Sequence, residues 1–207
     1  MIMKLRYPAV PLALWGLLGL CVLPELVLQG ADLGLWGSLQ WRSLAYGWFG
    51  FWPGLLHDWR PNYPEQPWAM FLTYGFLHGG LVHLVVNMIT LVSMGRAVID
   101  RAGQGRFLLI YAVSLLGGAL GFGLLTNTTI PMVGASGALF GLVGAVIAWA
   151  VLDRWHESMT LWPVARAVLW LIALNVILWW ATGGQLAWQT HLGGFVAGAA
   201  MGFVVDG

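Results

Sequence analysis

The length of its apolar runs is what most constrains this chain. Six can be marked, at about Pro8–Leu28, Gly80–Ile99, Phe107–Leu125, Val133–Val151, Ala165–Trp180 and Thr190–Val205. A helix crosses the ~30 Å hydrocarbon core of a bilayer with about 20 apolar residues. In that core every backbone polar group must be satisfied within the protein, which favours helices. The expected fold is therefore an all-α polytopic membrane protein, a six-transmembrane-helix bundle forming a single domain over 1–207. Composition agrees: 59% of the residues are hydrophobic and only 8% are Asp, Glu, Lys or Arg, where a soluble domain carries about 25% charged residues. The last run is short for a full span, which a glycine-rich helix enclosed by protein tolerates.

Charge placement sets the expected orientation. With the N-terminus inside, Lys4, Arg6, Arg96, Arg101, Arg106, Arg154 and Arg166 fall on the cytoplasmic side, against Arg42 and Arg60 outside. That is a clear positive-inside bias. Both termini are then cytoplasmic, in a multi-pass protein of the bacterial inner membrane. The first run follows a basic lead, exceeds a usual secretory h-region and has no clear cleavage signal after it, so it reads as a retained anchor. A net charge of +1 without a basic run excludes nucleic acid as a partner. Cys21 is the single cysteine, so no intramolecular disulfide or cysteine metal cluster can form.

Residues 29–79 form a long connection holding Trp36, Trp41, Trp48, Trp52, Trp59 and Trp68 among glycines and prolines. Tryptophan favours the headgroup level, where its ring is half buried and its N–H stays hydrated. Short helices lying in the outer interface are expected here, serving as an aromatic belt or as a substrate contact.

The polar residues of the spans gather at one level. The second run carries His83 and Asn87 beneath His78, the fourth carries Ser136 near its start, and the sixth carries His191 near its start. Under this topology all five lie near the outer ends of their helices, where unpaired polar groups are costly. His83 and Asn87 are i and i+4 and share a face. His191, Gly194, Gly198 and Gly202 form a small-residue stripe, and Gly137, Gly141 and Gly144 form another beside Ser136. Such stripes let helix backbones approach closely, near enough for a hydroxyl and an imidazole to share a hydrogen bond.

A Ser–His pair is the minimum for nucleophilic acyl transfer. No acidic third member lies on these helices, so stacking on Phe140, one turn beyond Ser136, is expected to orient His191. The backbone N–H of Ser136, with His83 and Asn87, suits an oxyanion in kind. Separately, each residue has a plainer reading: serine as a packing residue, histidine as part of a polar network or proton path, asparagine as interhelical glue. The elbow of soluble hydrolases is absent, since position 138 is Ala. Zinc held by His78, His83 and His191 would leave Ser136 and Asn87 unexplained.

At these residues the chain resembles the rhomboid intramembrane serine proteases, over roughly Met70 to Gly207. The likeness lies in H-x4-H-x3-N at His78, His83 and Asn87, G-x-S-G from Gly134 to Gly137, and H-x2-G-x3-G at His191, Gly194 and Gly198. It implies a six-helix core of the simple bacterial type with Ser136 as nucleophile and His191 as general base. His83, Asn87 and the Ser136 amide would stabilise the oxyanion, and His78 would organise the mouth. The implied substrates are transmembrane proteins cut near the outer membrane surface; the fifth helix and the 181–189 loop would be gate and cap. No cofactor or metal is implied. Two departures stand out. The Trp-Arg pair that many members carry nine residues before the first of these histidines is missing, since Ala69 follows Trp68. The nearest such pairs are Trp41-Arg42 and Trp59-Arg60. Phe140 stands where some bacterial members have tyrosine. The alternatives are a catalytically silent rhomboid-like protein that binds membrane clients, and a small transporter using the histidines as a proton relay. The transporter would be expected to carry acidic residues in its spans, and only Glu25 lies in one.

Overall fold

A computed structural model describes residues 11–205. Lys4, Arg6 and the start of the first expected span lie outside the described residues. Among those residues the regular structure is helical, as expected: α1 (Leu12–Asp32), α2 (Trp41–Phe49), α3 (Gln66–Thr73), α4 (Leu81–Leu125), α5 (Ser136–His156), α6 (Trp162–Ala181) and α7 (Trp188–Val204). Two 3-10 turns, Pro53–Leu56 and Tyr74–Phe76, join α2, α3 and α4. Four of the helices, α1, α4, α5 and α6, are long and apolar enough to cross a membrane.

The second and third expected runs are the two arms of α4, broken at Gly103. The cluster Asp100, Arg101, Gln104 and Arg106 reads as a loop in the sequence; Arg101, Gln104 and Arg106 are good helix formers, and helical backbone extends into the cluster from both sides. The interruption is a single residue, Gly103, at φ 83° and ψ 165°, a backbone state that glycine adopts without steric cost. A straight helix of 45 residues would be about 70 Å long. Instead the arms fold back, because a Cβ on Gly95 would lie 3.2 Å from Phe107 Cε2, whereas twelve helical residues would separate them by about 18 Å. The other boundaries move too. α1 continues past Leu28 to Asp32, and α5 continues past Val151 to His156. Arg154 and His156 in the last turn of α5 suit the negative end of its dipole. Asp153 in the same turn pairs with Arg101 at 2.6 Å, joining that end of α5 to the bend in α4.

The core sits where the second arm of α4 meets α5 and α7. Without a hydrophobic driving force inside lipid, helices associate through close van der Waals contact, which small residues permit. A Cβ on Gly194 would overlap the Gly137 carbonyl oxygen, and one on Gly198 would overlap that of Gly141. Further along, a Cβ on Gly202 would meet Ala145 Cα at 2.9 Å, and Trp149 Nε1 donates to the Gly202 carbonyl at 2.8 Å. The two stripes seen in the sequence are thus the surfaces that touch. α6 is the exception to this close packing, with Val164 its one buried residue.

The tryptophan-rich connection folds into short helices, as the sequence suggests, and it braces the start of α5. Phe51 and Met132 exchange both backbone hydrogen bonds, at 3.0 and 2.9 Å, and Gly134 N–H donates to the Tyr74 carbonyl at 2.9 Å. Tyr74, fully buried, donates in turn from its hydroxyl to the Leu115 carbonyl on α4 at 2.7 Å. The segment leading into Ser136 is therefore held from two sides.

Candidate active site

Ser136 is the first residue of α5, His191 the fourth of α7 and His83 the third of α4, so all three lie at helix starts. The turn before Ser136 requires glycine at 134. Its φ is +129°, and a Cβ there would stand 2.7 Å from His83 Cε1. The chain thereby swings against the His83 ring before α5 begins.

Ser136 Oγ and His191 Nε2 are 2.9 Å apart. Phe140, one turn further along α5, stacks on the His191 ring with centroids 4.2 Å apart and planes 6° from parallel. Ser136 and Phe140 are i and i+4 on one helix face, so α5 meets the imidazole with a hydroxyl at its edge and a ring on its plane. His191 is buried and Ser136 half-buried. Gly137, Gly194 and Gly198 surround this pair as the contact points of α5 and α7.

The sequence-based set omits one contact. His191 Nδ1 lies 2.6 Å from Asn175 Oδ1 on α6, so the ring is oriented by an amide as well as by Phe140. The signal was present, since Asn175 is the one amide in α6. Past Arg166, however, the helix is otherwise apolar and gives no periodicity from which to tell which face it turns inward.

His83 Nδ1 accepts from Gly79 N–H at 3.1 Å. The proton of a neutral His83 ring is therefore on Nε2, and a Cβ on Gly134 would lie 2.9 Å from that atom. Asn87 is buried, and its Nδ2 donates to the His83 carbonyl at 2.8 Å, leaving its second amide hydrogen for another acceptor. His78 is fully buried and meets His83 edge-on, with centroids 5.2 Å apart, one ring removed from Ser136. Burial, with His83 beside it, pushes the His78 imidazole down to about 3, so it is uncharged at neutral pH.

Arg42, an arginine from one of the more distant Trp-Arg pairs, holds the backbone at His78. It forks onto buried Glu25 of α1 at 2.8 and 3.0 Å, reaches Asp32 at 2.6 Å and donates to the His78 carbonyl at 2.9 Å. Tyr46 donates to the same carbonyl at 2.6 Å. The hydrogen bonds to Glu25 raise the Arg42 guanidinium above its ordinary range, and burial raises the Tyr46 phenol. One cation thus ties α1, α2 and the approach to α4 together.

The rhomboid-domain family model matches residues 64–206. Among curated relatives, RHOMBOID-like protein 6, mitochondrial, of Arabidopsis thaliana is 30% identical over 172 residues, covering 82% of this chain and 48% of the relative. Rhomboid protease GluP of Bacillus subtilis is 34% identical over 135 residues, 65% of this chain and 25% of the relative. Rhomboid-type serine protease 2 of Emericella nidulans is 32% identical over 153 residues, 74% of this chain and 29% of the relative. The chain spans a quarter to a half of the length of these relatives.

Proposed function

Because the chain belongs to the rhomboid family, in which some members are named proteases, we propose that it is an intramembrane serine endopeptidase. It hydrolyses peptide bonds of transmembrane protein substrates near the outer membrane surface. Ser136 is the nucleophile and His191 the general base. The observation that carries this reading is the 2.9 Å separation of Ser136 Oγ and His191 Nε2, with the ring stacked on Phe140.

The chemistry runs in two halves. As Ser136 Oγ bonds to the scissile carbonyl carbon, its proton passes to His191 Nε2. Collapse of the tetrahedral intermediate breaks the C–N bond, and His191 Nε2–H delivers that proton to the departing amine. Water then attacks the Ser136 ester with His191 again as base, releasing the new carboxyl end and restoring the hydroxyl. The oxyanion of each intermediate takes hydrogen bonds from the Ser136 N–H, His83 Nε2–H and Asn87. Preorganised donors of this kind matter most where water is scarce.

The membrane arrangement proposed is six spans: α1, the two arms of α4, α5, α6 and the enclosed α7. Residues 33–80 lie in the outer interface, and both termini are on the cytoplasmic side of the inner membrane. The test is active-site labelling by a fluorophosphonate, with cleavage of a transmembrane reporter. Wild type should label and cleave, while Ser136→Ala and His191→Ala should do neither yet insert and fold normally. A well-folded wild type that stays unlabelled beside a reacting control would replace the protease reading with that of a silent client-binding protein.

A further inference from the structure

We propose that Asn175 is a positioning residue for His191. Its amide oxygen holds the ring in the one tautomer and orientation from which Nε2 can take the Ser136 proton, so the dyad is competent only while α6 is docked. This rests on the protease reading above and adds a third member, from another helix, to a site that the sequence presents as two residues.

The direction of the amide follows from its other partner. Asn175 Nδ2 donates to the Leu171 carbonyl one turn back, at 2.9 Å. The opposite assignment would set two carbonyl oxygens against each other with no proton between them. Oδ1 is therefore the atom 2.6 Å from His191 Nδ1. An amide oxygen only accepts, so Nδ1 must carry the hydrogen, and a neutral imidazole then has its lone pair on Nε2. That lone pair faces Ser136 Oγ at 2.9 Å. Three side chains from α5, α6 and α7 thus form one directed chain, with Ser136 donating to His191 and His191 donating to Asn175.

Phe140 does not fix this by itself. Stacking sets the plane of the ring but is indifferent to which nitrogen bears the proton, because both tautomers present the same face. The amide breaks that symmetry.

The dependence on α6 comes from how that helix is held. Val164, near its start, is its one buried residue. Around Asn175 a cavity of about 460 Å³ separates α6 from α5 and α7, with Leu171, Trp179, Leu192 and Phe195 among its walls. Asn175 and His191 are the hydrogen-bonding pair in that otherwise apolar wall. A hydrogen bond of 2.6 Å is lost once its atoms separate to about 3.6 Å, so an outward shift of α6 by roughly 1 Å disarms the base without moving Ser136 or His191.

The experiment compares wild type with Asn175→Leu, which removes the acceptor at similar volume, and Asn175→Asp, which keeps an oxygen in place. kcat and KM are measured on a transmembrane reporter. The His191 tautomer is read from ¹⁵N shifts of histidine-labelled protein in micelles, assigned by the signals lost in His191→Gln. The expected result is an Nδ1–H tautomer in wild type and its loss in Asn175→Leu, where kcat falls about 100-fold. KM should stay within about threefold, and Asn175→Asp should recover most of the turnover. A kcat for Asn175→Leu within about threefold of wild type, a loss seated in KM, an Asp variant no better than Leu, or an Nε2–H tautomer in wild type would each overturn the inference. The spectroscopic arm needs no turnover, so failure of the protease reading and failure of this one are distinguishable.

Discussion

Arg42→Ala should destabilise the fold far more than an exposed ion pair would, because of what it leaves behind. Glu25 has no exposed side-chain surface, and Arg42 keeps 18% of its own. The fork between them, at 2.8 and 3.0 Å, supplies the charge compensation for that carboxylate. The His78 carbonyl does not become an orphan on loss of Arg42, since Tyr46 still donates to it, and Asp32 is partly exposed. The cost therefore resides at Glu25. An unpaired buried charge costs about 3–5 kcal/mol. Glu25→Met with Arg42→Met should recover at least about 2 kcal/mol relative to Arg42→Ala, since removing both partners abandons no charge. The assay is reversible unfolding in mixed micelles at pH 7.5, followed by circular dichroism. A loss below about 1 kcal/mol for Arg42→Ala at pH 7.5, or a double variant no more stable than the single, would refute the reasoning.

The other expectations are briefer. Gly198→Leu drives a side chain into the Gly141 carbonyl, and overpacking of this kind costs up to about 3 kcal/mol or more; thermal stability and reporter cleavage should fall together. Asn87→Ala should lower kcat about 100-fold or more with little change in KM, as loss of a donor to the oxyanion does; unchanged turnover would remove Asn87 from that role. His78 gives a pH dependence. Its folded value near 3 lies below the ordinary 6.5, so the unfolded chain binds the extra proton and stability falls as pH drops from about 6.5. The slope is at most about 1.4 kcal/mol per unit, and His78→Phe should flatten it between pH 6.5 and 5 in melting experiments.

Local and periodic features were legible in the sequence; those set by how helices turn toward one another were not. The Gly194–Gly198–Gly202 stripe can be read because a four-residue repeat on one helix means the same thing wherever that helix sits, and these glycines do meet α5. The break between the second and third runs was legible in the charged cluster Asp100–Arg106, but not its shortness: charge marks a membrane boundary without specifying the helix ends, and the helical backbone is interrupted at Gly103 alone. The Arg42 clamp joins residues 17 and 36 positions apart, and no local pattern says which of two Trp-Arg pairs will find a buried carboxylate. Asn175 was hidden for the reason given above, because α6 has no polar face to orient it.

An amide is also the physically sensible group at that place. A carboxylate beside His191 would stabilise the imidazolium more strongly, but its charge would have to be held in an apolar cavity between helices, where desolvation of an ion costs several kcal/mol. A neutral oxygen accepts from Nδ1–H in both the resting and protonated states and brings no such penalty. What it gives up in charge stabilisation is offset in part by Phe140, whose face lies parallel to the ring at 4.2 Å. An aromatic face beneath a cation is worth about 0.5–2 kcal/mol and most when desolvated, so it acts at the moment His191 holds the proton. Orientation from Asn175 and charge stabilisation from Phe140 would together do from two uncharged groups what the buried aspartate does in a Ser-His-Asp triad. A tyrosine at 140 would keep that face, so Phe140→Tyr should leave kcat within about threefold of wild type, whereas Phe140→Leu, which fills similar space without a quadrupole, should lower it about tenfold. Equal activity of the two variants in the reporter assay would show that the ring contributes shape alone.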